Sequence, residues 1–468
     1  MNNATHLLIS SIYEKIWELS PNYKLPDSYS NLQELTKQLI DLYNLEGRLD
    51  ENPFSSTEQR VLSLPVSSLN ELIKSSTILV TGGLGCVGSS LVKQLLNFDV
   101  DKIIIVDKQS SNDKIINNNN RLVNIKADIC EVDILNTIFE TYQPDFVFHT
   151  AAQRDPGYAE HHIAETVQVN ITGTLNVLNA CEKSNSVKQC VFSSTGKASR
   201  YFTNEVYAAT KKICEHLFDT YARQSDILYS MVRFTHILDN SLMNNELQKT
   251  KDKDHLAIHS PGKYVTAQNA LEAANLLLNA LLSAEKKQSN FLIVRHLEWP
   301  VESLEVALYY IKIAERPIPV IFKGNPMGYC EKFFRGQMDW SNPQELNLLI
   351  NVYEQKNRTY NKDGDIIISS ILPVEKCVLQ NALLKIQNAT GEAEIKDVLM
   401  AELKNIVRSS FANANRQDTL NILEWGLEPK HMITEGTTIA DYGPTISLLI
   451  ESLDGNYATE NSANLSPV

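Results

Sequence analysis

A glycine-rich turn between an apolar run and a helical pattern constrains the fold of this chain more than any other feature. The run TILVT ends at Thr81, and glycines follow at three-residue spacing before the helical pattern SSLVKQLL. This spacing permits a tight turn that brings the backbone close to a bound pyrophosphate, and the helix N-terminus adds N–H groups and a partial positive charge. The sequence therefore predicts a dinucleotide site whose phosphate-binding residues are Gly82, Gly85, Cys86, Val87 and Gly88.

Apolar runs of strand length alternate with helical patterns through residues 76–234. The six runs are TILVTG, KIIIVD, LVNIKAD, FVFHTAA, QCVFSST and LYSMVRF. Nearly continuous apolar strands separated by helices are typical of a parallel sheet that is covered on both faces. We therefore predict an α/β fold of the Rossmann type, a doubly wound parallel sheet, with a smaller C-terminal substrate subdomain and helical N- and C-terminal extensions.

The remaining chain divides around this core. Leucines at helical spacing predict helices before residue 75, and a looser pattern after residue 235 predicts helices at 267–283 and 301–314 and a strand at 291–294. The predicted organisation is a helical N-terminal extension at 1–75, a Rossmann dinucleotide-binding domain at 76–234, a substrate-binding subdomain at 235–345 and a mainly helical C-terminal extension at 346–468.

Composition and charge exclude several classes of protein. The net charge of −13 argues against nucleic acid as a partner, because nucleic acid needs a clustered basic face. Seven cysteines without a C-x-x-C pair predict reduced thiols and no metal ion. The sequence begins without a basic and apolar leader, and no apolar run reaches about 18 residues, so we expect a cytoplasmic protein without a membrane span.

An acidic residue at the end of the second predicted strand bears on the choice of cofactor. Asp107 comes 19 residues after Gly88. A carboxylate at this position can accept hydrogen bonds from both ribose hydroxyls of NAD and repels the 2′-phosphate of NADP. The neighbouring Lys108 acts in the opposite direction. We predict that Asp107 and Lys108 contact the cofactor and that NAD is preferred over NADP.

A tyrosine and a lysine on a predicted helix indicate redox chemistry. Tyr207 and Lys211 are four residues apart and so share a helical face, and Thr195 at the end of the preceding strand supplies a hydroxyl. With the turn TGGLGCVG, they resemble the extended short-chain dehydrogenase/reductases. The resemblance implies that Lys211 holds the nicotinamide ribose and lowers the pKa of Tyr207, which takes a proton from a substrate hydroxyl as hydride leaves its carbon.

Further motifs resemble one branch of that family, the polysaccharide-biosynthesis (CapD-type) nucleotide-sugar 4,6-dehydratases and epimerases. HTAAQRDP from His149 is similar to its H-A-A-A-x-K-H-V-P, and STGKA from Ser194 is similar to its S-T-D-K-A. PVESL from Pro300 and KGNPMGYCEK from Lys323 are similar to later motifs of the branch. The resemblance implies an NAD(P)-dependent epimerase or dehydratase that acts on a UDP- or dTDP-sugar. We also expect a homo-oligomer.

The same resemblance assigns further site residues. Lys197 occupies the position of the lysine that removes the C5 proton in the dehydratases. The expected additional cofactor contacts are Asp128, Ile129, Ala151 and Ala152. The expected substrate contacts are Gln153, Arg154, Ser194 and His236.

Position 196 departs from the family pattern. Gly196 stands where the dehydratases have the aspartate that protonates the departing C6 hydroxyl, and a glycine cannot donate a proton. Asp155, His161 and His162 are candidates for the missing acid, and Gly196→Asp is expected to restore it.

Two arginines that the branch uses for the diphosphate are also replaced, by Asn240 and Asn325. Their loss leaves open a second function, an NAD-dependent dehydrogenase or reductase of a non-nucleotide sugar, a cyclitol or a natural-product alcohol. A non-catalytic NAD-binding scaffold is the third alternative. The presence of Tyr207, Lys211 and Thr195 favours an enzyme over a scaffold.

Overall fold

Two compact units make up the described part of the chain. The computed structural model describes residues 3–110, 119–240 and 250–454. Among these residues, every helix is too short or too polar to span a lipid bilayer. We call one unit the Rossmann unit; it comprises Leu62–Phe234, Ala273–Arg295 and Met327–Val468. The smaller unit comprises Met1–Val61, Thr235–Glu272 and His296–Pro326.

The Rossmann unit contains a sheet that has nine strands within the described residues. The strands are β1 Thr77–Thr81, β2 Lys102–Asp107, β3 Leu122–Lys126, β4 Phe146–His149, β5 Gln189–Thr195, β6 Leu228–Phe234, β11 Asn290–Val294, β14 Thr359–Tyr360 and β15 Ile366–Ser370. Their order is β14-β15-β11-β6-β5-β4-β1-β2-β3, and all neighbours from β11 to β3 are parallel. The carboxyl ends of these parallel strands meet at one edge, which we call the carboxyl edge. The predicted fold class is confirmed.

Helices connect the strands of the Rossmann unit. In the N-terminal part they are α4 Val66–Ile73, α5 Cys86–Leu95, α6 Val132–Tyr142, α7 Pro156–His161, α8 Ile163–Val167, α9 Gly173–Lys183 and α10 Val206–Gln224. In the C-terminal part they are α13 Val352–Gln355, α14 Lys376–Asn388, α15 Glu392–Phe411, α16 Arg416–Gly426, α17 Pro429–Glu435 and α18 Gly443–Leu453. Every residue of β4 and β11 is buried, which requires cover on both faces of the sheet.

Residues 346–468, which we call the C-terminal segment, also contribute strands that the sequence pattern does not predict. β15 pairs antiparallel with β11, and β14 extends the sheet beyond it. Residues 366–368 are three consecutive isoleucines, so the apolar run was visible, but its pairing with β11 is a long-range contact. β11, expected within the substrate subdomain, belongs instead to the main sheet because it pairs with β6.

The smaller unit combines the N-terminal helices with the chain that follows β6. Its helices are α1 Asn3–Leu19, α2 Pro26–Leu45, α3 Ser55–Gln59 and α12 Ser303–Ala314. Its strands are β7 His236–Ile237, β8 Leu256–Ile258, β9 Tyr264–Val265, β10 Ala267–Gln268, β12 Val301–Glu302 and β13 Val320–Phe322. They form the pairs β7–β10, β9–β12 and β8–β13. One of the points at which the chain passes from one unit to the other, after Glu272, falls within α11 Ala270–Leu282.

A single hydrophobic cluster gives the smaller unit its core. Ile16 and Leu39 from the N-terminal helices are fully buried in it, together with Leu308 of α12 and Val320 of β13. Full burial of one such side chain stabilises a fold by about 1.5–3 kcal/mol. The apolar faces of α1 and α2 are therefore part of this core, although the sequence analysis places them in a separate extension.

Candidate active site

The glycine-rich turn has the backbone geometry that a phosphate site requires. Gly82 has a φ of +70°, and a Cβ atom built there would lie 2.6 Å from the backbone nitrogen of Ala151. A Cβ atom on Gly88 would collide with the carbonyl oxygen of Gly82. Gly85 is the N-cap of α5 and has no side chain to cap the helix. The glycines therefore fit a dinucleotide, because the turn is tight and the helix N-terminus carries no capping side chain.

Asp107 anchors this turn from the end of β2. Its carboxylate accepts hydrogen bonds from the N–H groups of Leu84, at 3.1 Å, and Gln109, at 3.0 Å. A carboxylate has about four lone-pair sites, so these bonds leave capacity for ribose hydroxyls. Lys108 is exposed.

The other predicted cofactor residues follow β3 and β4. The Asp128 carboxylate accepts a hydrogen bond from the N–H of Cys130 at 2.9 Å, and Ile129 is buried against Gly173. Ala151 and Ala152 are half-buried after β4, next to Gly82. Because β3, β2, β1 and β4 are neighbours, the structure brings the predicted cofactor residues to adjacent positions at the carboxyl edge.

Tyr207 and Lys211 lie on α10 beside the end of β5. Burial raises the pKa of Tyr207 to about 12, and the hydroxyl of Thr195 and the charge of Arg154 both act to lower it. Burial lowers the pKa of Lys211 to about 8. The Lys211 ammonium donates a hydrogen bond to the carbonyl oxygen of Ser193 at 2.7 Å. The tyrosine, the lysine and the threonine are therefore assembled at one strand end.

Ser194, predicted as a substrate contact, has a buried partner. Its hydroxyl donates to Glu215 at 2.6 Å. Glu215 also pairs with the fully buried Arg233, and Arg233 pairs with Glu354 from the C-terminal segment. This contact gives Ser194 a structural role, since it ties β5 to an internal ion-pair network.

The next two residues after Thr195 differ in what they contact. A Cβ atom on Gly196 would lie 2.9 Å from Cγ of Leu349, a buried residue of the C-terminal segment. The Lys197 ammonium binds the Glu205 carboxylate at 2.5 Å and the carbonyl oxygen of Gly328 at 3.1 Å. Burial lowers the pKa of Lys197, and Glu205 acts in the opposite direction.

Among the described residues, Asp155, His161 and His162, the three candidates for the missing acid, make no hydrogen bond to Gly196 or Lys197. Asp155 is the N-cap of α7, and its carboxylate accepts hydrogen bonds from the N–H groups of Gly157 and Tyr158. His161 and His162 are exposed, and the ring of His162 stacks on Tyr158 with centroids 3.9 Å apart. These contacts give Asp155 a capping role and place the two histidines at the surface.

The remaining predicted substrate contacts are distributed over both units. In the Rossmann unit, the Gln153 side chain accepts a hydrogen bond from the N–H of Asp155 at 2.6 Å, and Arg154 is exposed. In the smaller unit, His236 lies in β7 and pairs with Ala267 of β10.

The sequence analysis does not select three residues that the structure brings next to predicted ones. Leu349 meets Gly196, Glu205 binds Lys197, and the Lys197 ammonium lies 5.2 Å from the centroid of the Tyr329 ring. Glu205 is only two residues before Tyr207, so its position in the sequence could have indicated that it lies near the site. Tyr329 lies within the motif KGNPMGYCEK, which does not single it out, and Leu349 belongs to no motif, so tertiary contacts are needed to identify both residues.

The Rossmann unit with its tyrosine–lysine pair places this chain among the extended short-chain dehydrogenase/reductases. More narrowly, the chain belongs to the family described as "Polysaccharide biosynthesis protein", which matches residues 78–313. The capsular polysaccharide biosynthesis protein CapD of Staphylococcus aureus is 25% identical over 374 residues, covering 69% of this chain and 61% of the relative. The UDP-N-acetylglucosamine 4,6-dehydratase (inverting) of Campylobacter jejuni is 32% identical over 175 residues, covering 36% and 51%.

The chain thus spans about half the length of the curated relatives it matches. Among solved structures, Pen from Bacillus thuringiensis superposes with a TM-score of 0.55 at 20% identity, covering 64% of this chain and 88% of that chain. This likeness concerns the fold. It agrees with the Rossmann architecture described above.

Proposed function

We propose that this protein is an NAD(P)-dependent nucleotide-sugar-modifying enzyme, an epimerase or a dehydratase, that begins by oxidising a sugar hydroxyl carbon. The observation that carries the proposal is the Thr195 hydroxyl beside the Tyr207 phenol at the carboxyl edge, which also holds the glycine-rich turn. Relatives named for polysaccharide biosynthesis and for the dehydration of UDP-N-acetylglucosamine support the substrate class.

Residues at the carboxyl edge would supply the cofactor contacts in this proposal. The backbone of Gly82–Gly88 would hold the pyrophosphate and Asp107 the adenosine ribose, which favours NAD over NADP. Lys211 would hold the second ribose. When bound, the nicotinamide accepts a hydride from carbon and later returns one.

Tyr207 is the proposed acceptor of the hydroxyl proton. Its raised pKa means that burial alone keeps the phenol protonated, so nearby positive charge must favour the phenolate. Arg154 already acts in this direction. Lys211, one helical turn along α10, is the second cation that we propose for this task. Thr195 orients the substrate hydroxyl.

Isotope transfer tests this function. UDP-N-acetylglucosamine carrying deuterium at C4 is incubated with the NAD-loaded protein, and the nicotinamide is analysed by mass spectrometry. Deuterium in the reduced nicotinamide is expected. If no UDP- or dTDP-sugar transfers its label while a simple sugar alcohol or cyclitol does, the substrate is not a nucleotide sugar and the dehydrogenase alternative holds.

A further inference from the structure

Tyr329 lies beside residues of the proposed active site although it is far from them in sequence. Its ring centroid is 5.2 Å from the Lys197 ammonium, and its Cε2 atom would be 3.6 Å from a Cβ atom on Gly157, at the start of α7. The residue is 36% exposed. The side chain is therefore only partly buried.

The residues on either side hold Tyr329 in place. Gly328 has a φ of +83°, and a Cβ atom there would collide with the carbonyl oxygen of Pro156. The Gly328 carbonyl oxygen accepts a hydrogen bond from Lys197. Glu331 accepts hydrogen bonds from Arg200 and from the Thr203 hydroxyl. The loop is thus fixed before and after the tyrosine, which suits a residue that acts at a defined position.

The contacts of Lys197 connect Tyr329 to α10, the helix that carries Tyr207 and Lys211. Lys197 pairs with Glu205, the N-cap of α10, and Tyr207 follows two residues later. The Lys197 N–H donates to the Thr195 hydroxyl at 3.4 Å. Partial burial raises the pKa of Tyr329 to about 12, with Asp155, Glu205 and Tyr207 adding to the effect. At neutral pH the phenol therefore keeps its proton, and it gives the proton up only to an oxygen that gains negative charge, as the leaving C6 oxygen does when the C6–O bond breaks.

Position 196 cannot supply a proton in this fold, because it lacks a side chain and Leu349 fills the adjoining space. Asp155 is used as a helix cap. We propose that Tyr329 is the acid of a dehydration step and donates its phenolic proton to the hydroxyl that leaves the sugar. This inference deepens the proposed function and rests on it.

The step starts from a sugar that already carries a ketone at C4. Lys197, whose ammonium group is paired with Glu205, first releases one proton to solvent. The resulting amine takes the C5 proton, and the electrons of the C5–H bond form the C5–C6 double bond. The C6–O bond breaks, its electrons stay with oxygen, and the proton from Tyr329 completes a water molecule. The Lys197 ammonium then passes a proton to the Tyr329 phenolate, so Lys197 is again an amine and Tyr329 is again a phenol.

The test compares Tyr329→Phe with Tyr360→Phe in the NAD-loaded protein. Tyr360 is a matched control because it is 38% exposed, its hydroxyl donates to a carboxylate and its ring centroid lies 4.4 Å from Arg295. With C4-deuterated UDP-N-acetylglucosamine, deuterium transfer reports oxidation and mass spectrometry of the sugar reports loss of water. Thermal unfolding checks that each variant is folded.

We expect Tyr329→Phe to oxidise the sugar at close to the parent rate and to lose water at least about 100-fold more slowly, the usual minimum for loss of a general acid. Tyr360→Phe should behave like the parent. Water loss by Tyr329→Phe at the parent rate overturns the proposal, as does equal loss of oxidation and dehydration in a folded variant. A parent that oxidises without losing water overturns it too. A parent that does not oxidise any UDP- or dTDP-sugar refutes the proposed function itself.

Discussion

Asp107 binds the glycine-rich turn through the N–H of Leu84 and, in our proposal, also accepts hydrogen bonds from the adenosine ribose. The hydrogen bond from Leu84 to Asp107 is observed in the structure. The sequence does not predict it, because it depends on how the glycine-rich turn is placed relative to the end of β2. The proposed contact with the ribose follows from sequence spacing. In this proposal one carboxylate couples the shape of the glycine-rich turn to the choice between NAD and NADP.

We predict that the parent binds NAD more tightly than NADP by at least about tenfold, or about 1.4 kcal/mol, because the Asp107 carboxylate repels the 2′-phosphate. Asp107→Asn keeps an oxygen for the Leu84 N–H but removes the charge, so the ratio of the two dissociation constants should approach one. Calorimetric titration measures it. Asp101→Asn, at the opposite end of β2, is the control. Equal or tighter binding of NADP by the parent would mean that Lys108 dominates.

Some site residues are predictable from local sequence motifs, and others are recognised only from contacts between distant parts of the chain. Tyr207, Lys211 and the glycines are specified by spacing within one or two elements, so the sequence predicts them. Leu349 reaches the site through tertiary contacts and no local pattern marks it, whereas Tyr329 lies within a family-like motif that does not indicate its contact with Lys197. The sequence does not predict the hydrogen bond from Ser194 to Glu215, because the two residues meet only when α10 packs on β5.

At the level of elements, the turn after β5 is shaped by the C-terminal segment. The Ser199 hydroxyl donates to the carbonyl oxygen of Leu348 at 2.9 Å, and Asn351 donates to the carbonyl oxygen of Ser199 at 2.9 Å. These bonds hold Leu349 against Gly196. A Gly196→Asp carboxylate would meet the Leu349 side chain, so the expectation that this substitution restores the family acid does not suit this fold.

We predict that Gly196→Ala destabilises the protein by about 1–3 kcal/mol, since an added methyl group overpacks the contact with Leu349. In Gly196→Ala/Leu349→Ala the clash is removed, so the double variant should be more stable than the sum of the single effects implies. Unfolding in urea of the unsubstituted protein, Gly196→Ala, Leu349→Ala and the double variant gives the three changes in the free energy of unfolding. Strict additivity would show that the two positions do not touch.

On the scale of the whole molecule, the C-terminal segment belongs to the Rossmann unit although it lies beyond residue 313, where the family match ends. It supplies β15 to the sheet and Glu354 to Arg233. It also supplies Lys396, which pairs with Glu160, whose carboxylate accepts a hydrogen bond from the Val206 N–H at the start of α10. The sequence predicts its helices but not these contacts, because they join distant parts of the chain.

We propose above all that this fold serves hydride chemistry in which Tyr207 accepts the hydroxyl proton. The most direct measurement is the rate of deuterium transfer from C4-deuterated UDP-N-acetylglucosamine to bound NAD in the parent and in Tyr207→Phe. The substitution removes one hydroxyl from a half-buried ring, so folding and NAD affinity should be retained. We predict a fall in the transfer rate of about 100- to 10,000-fold. Transfer by Tyr207→Phe at the parent rate, with NAD bound equally well, would contradict the account.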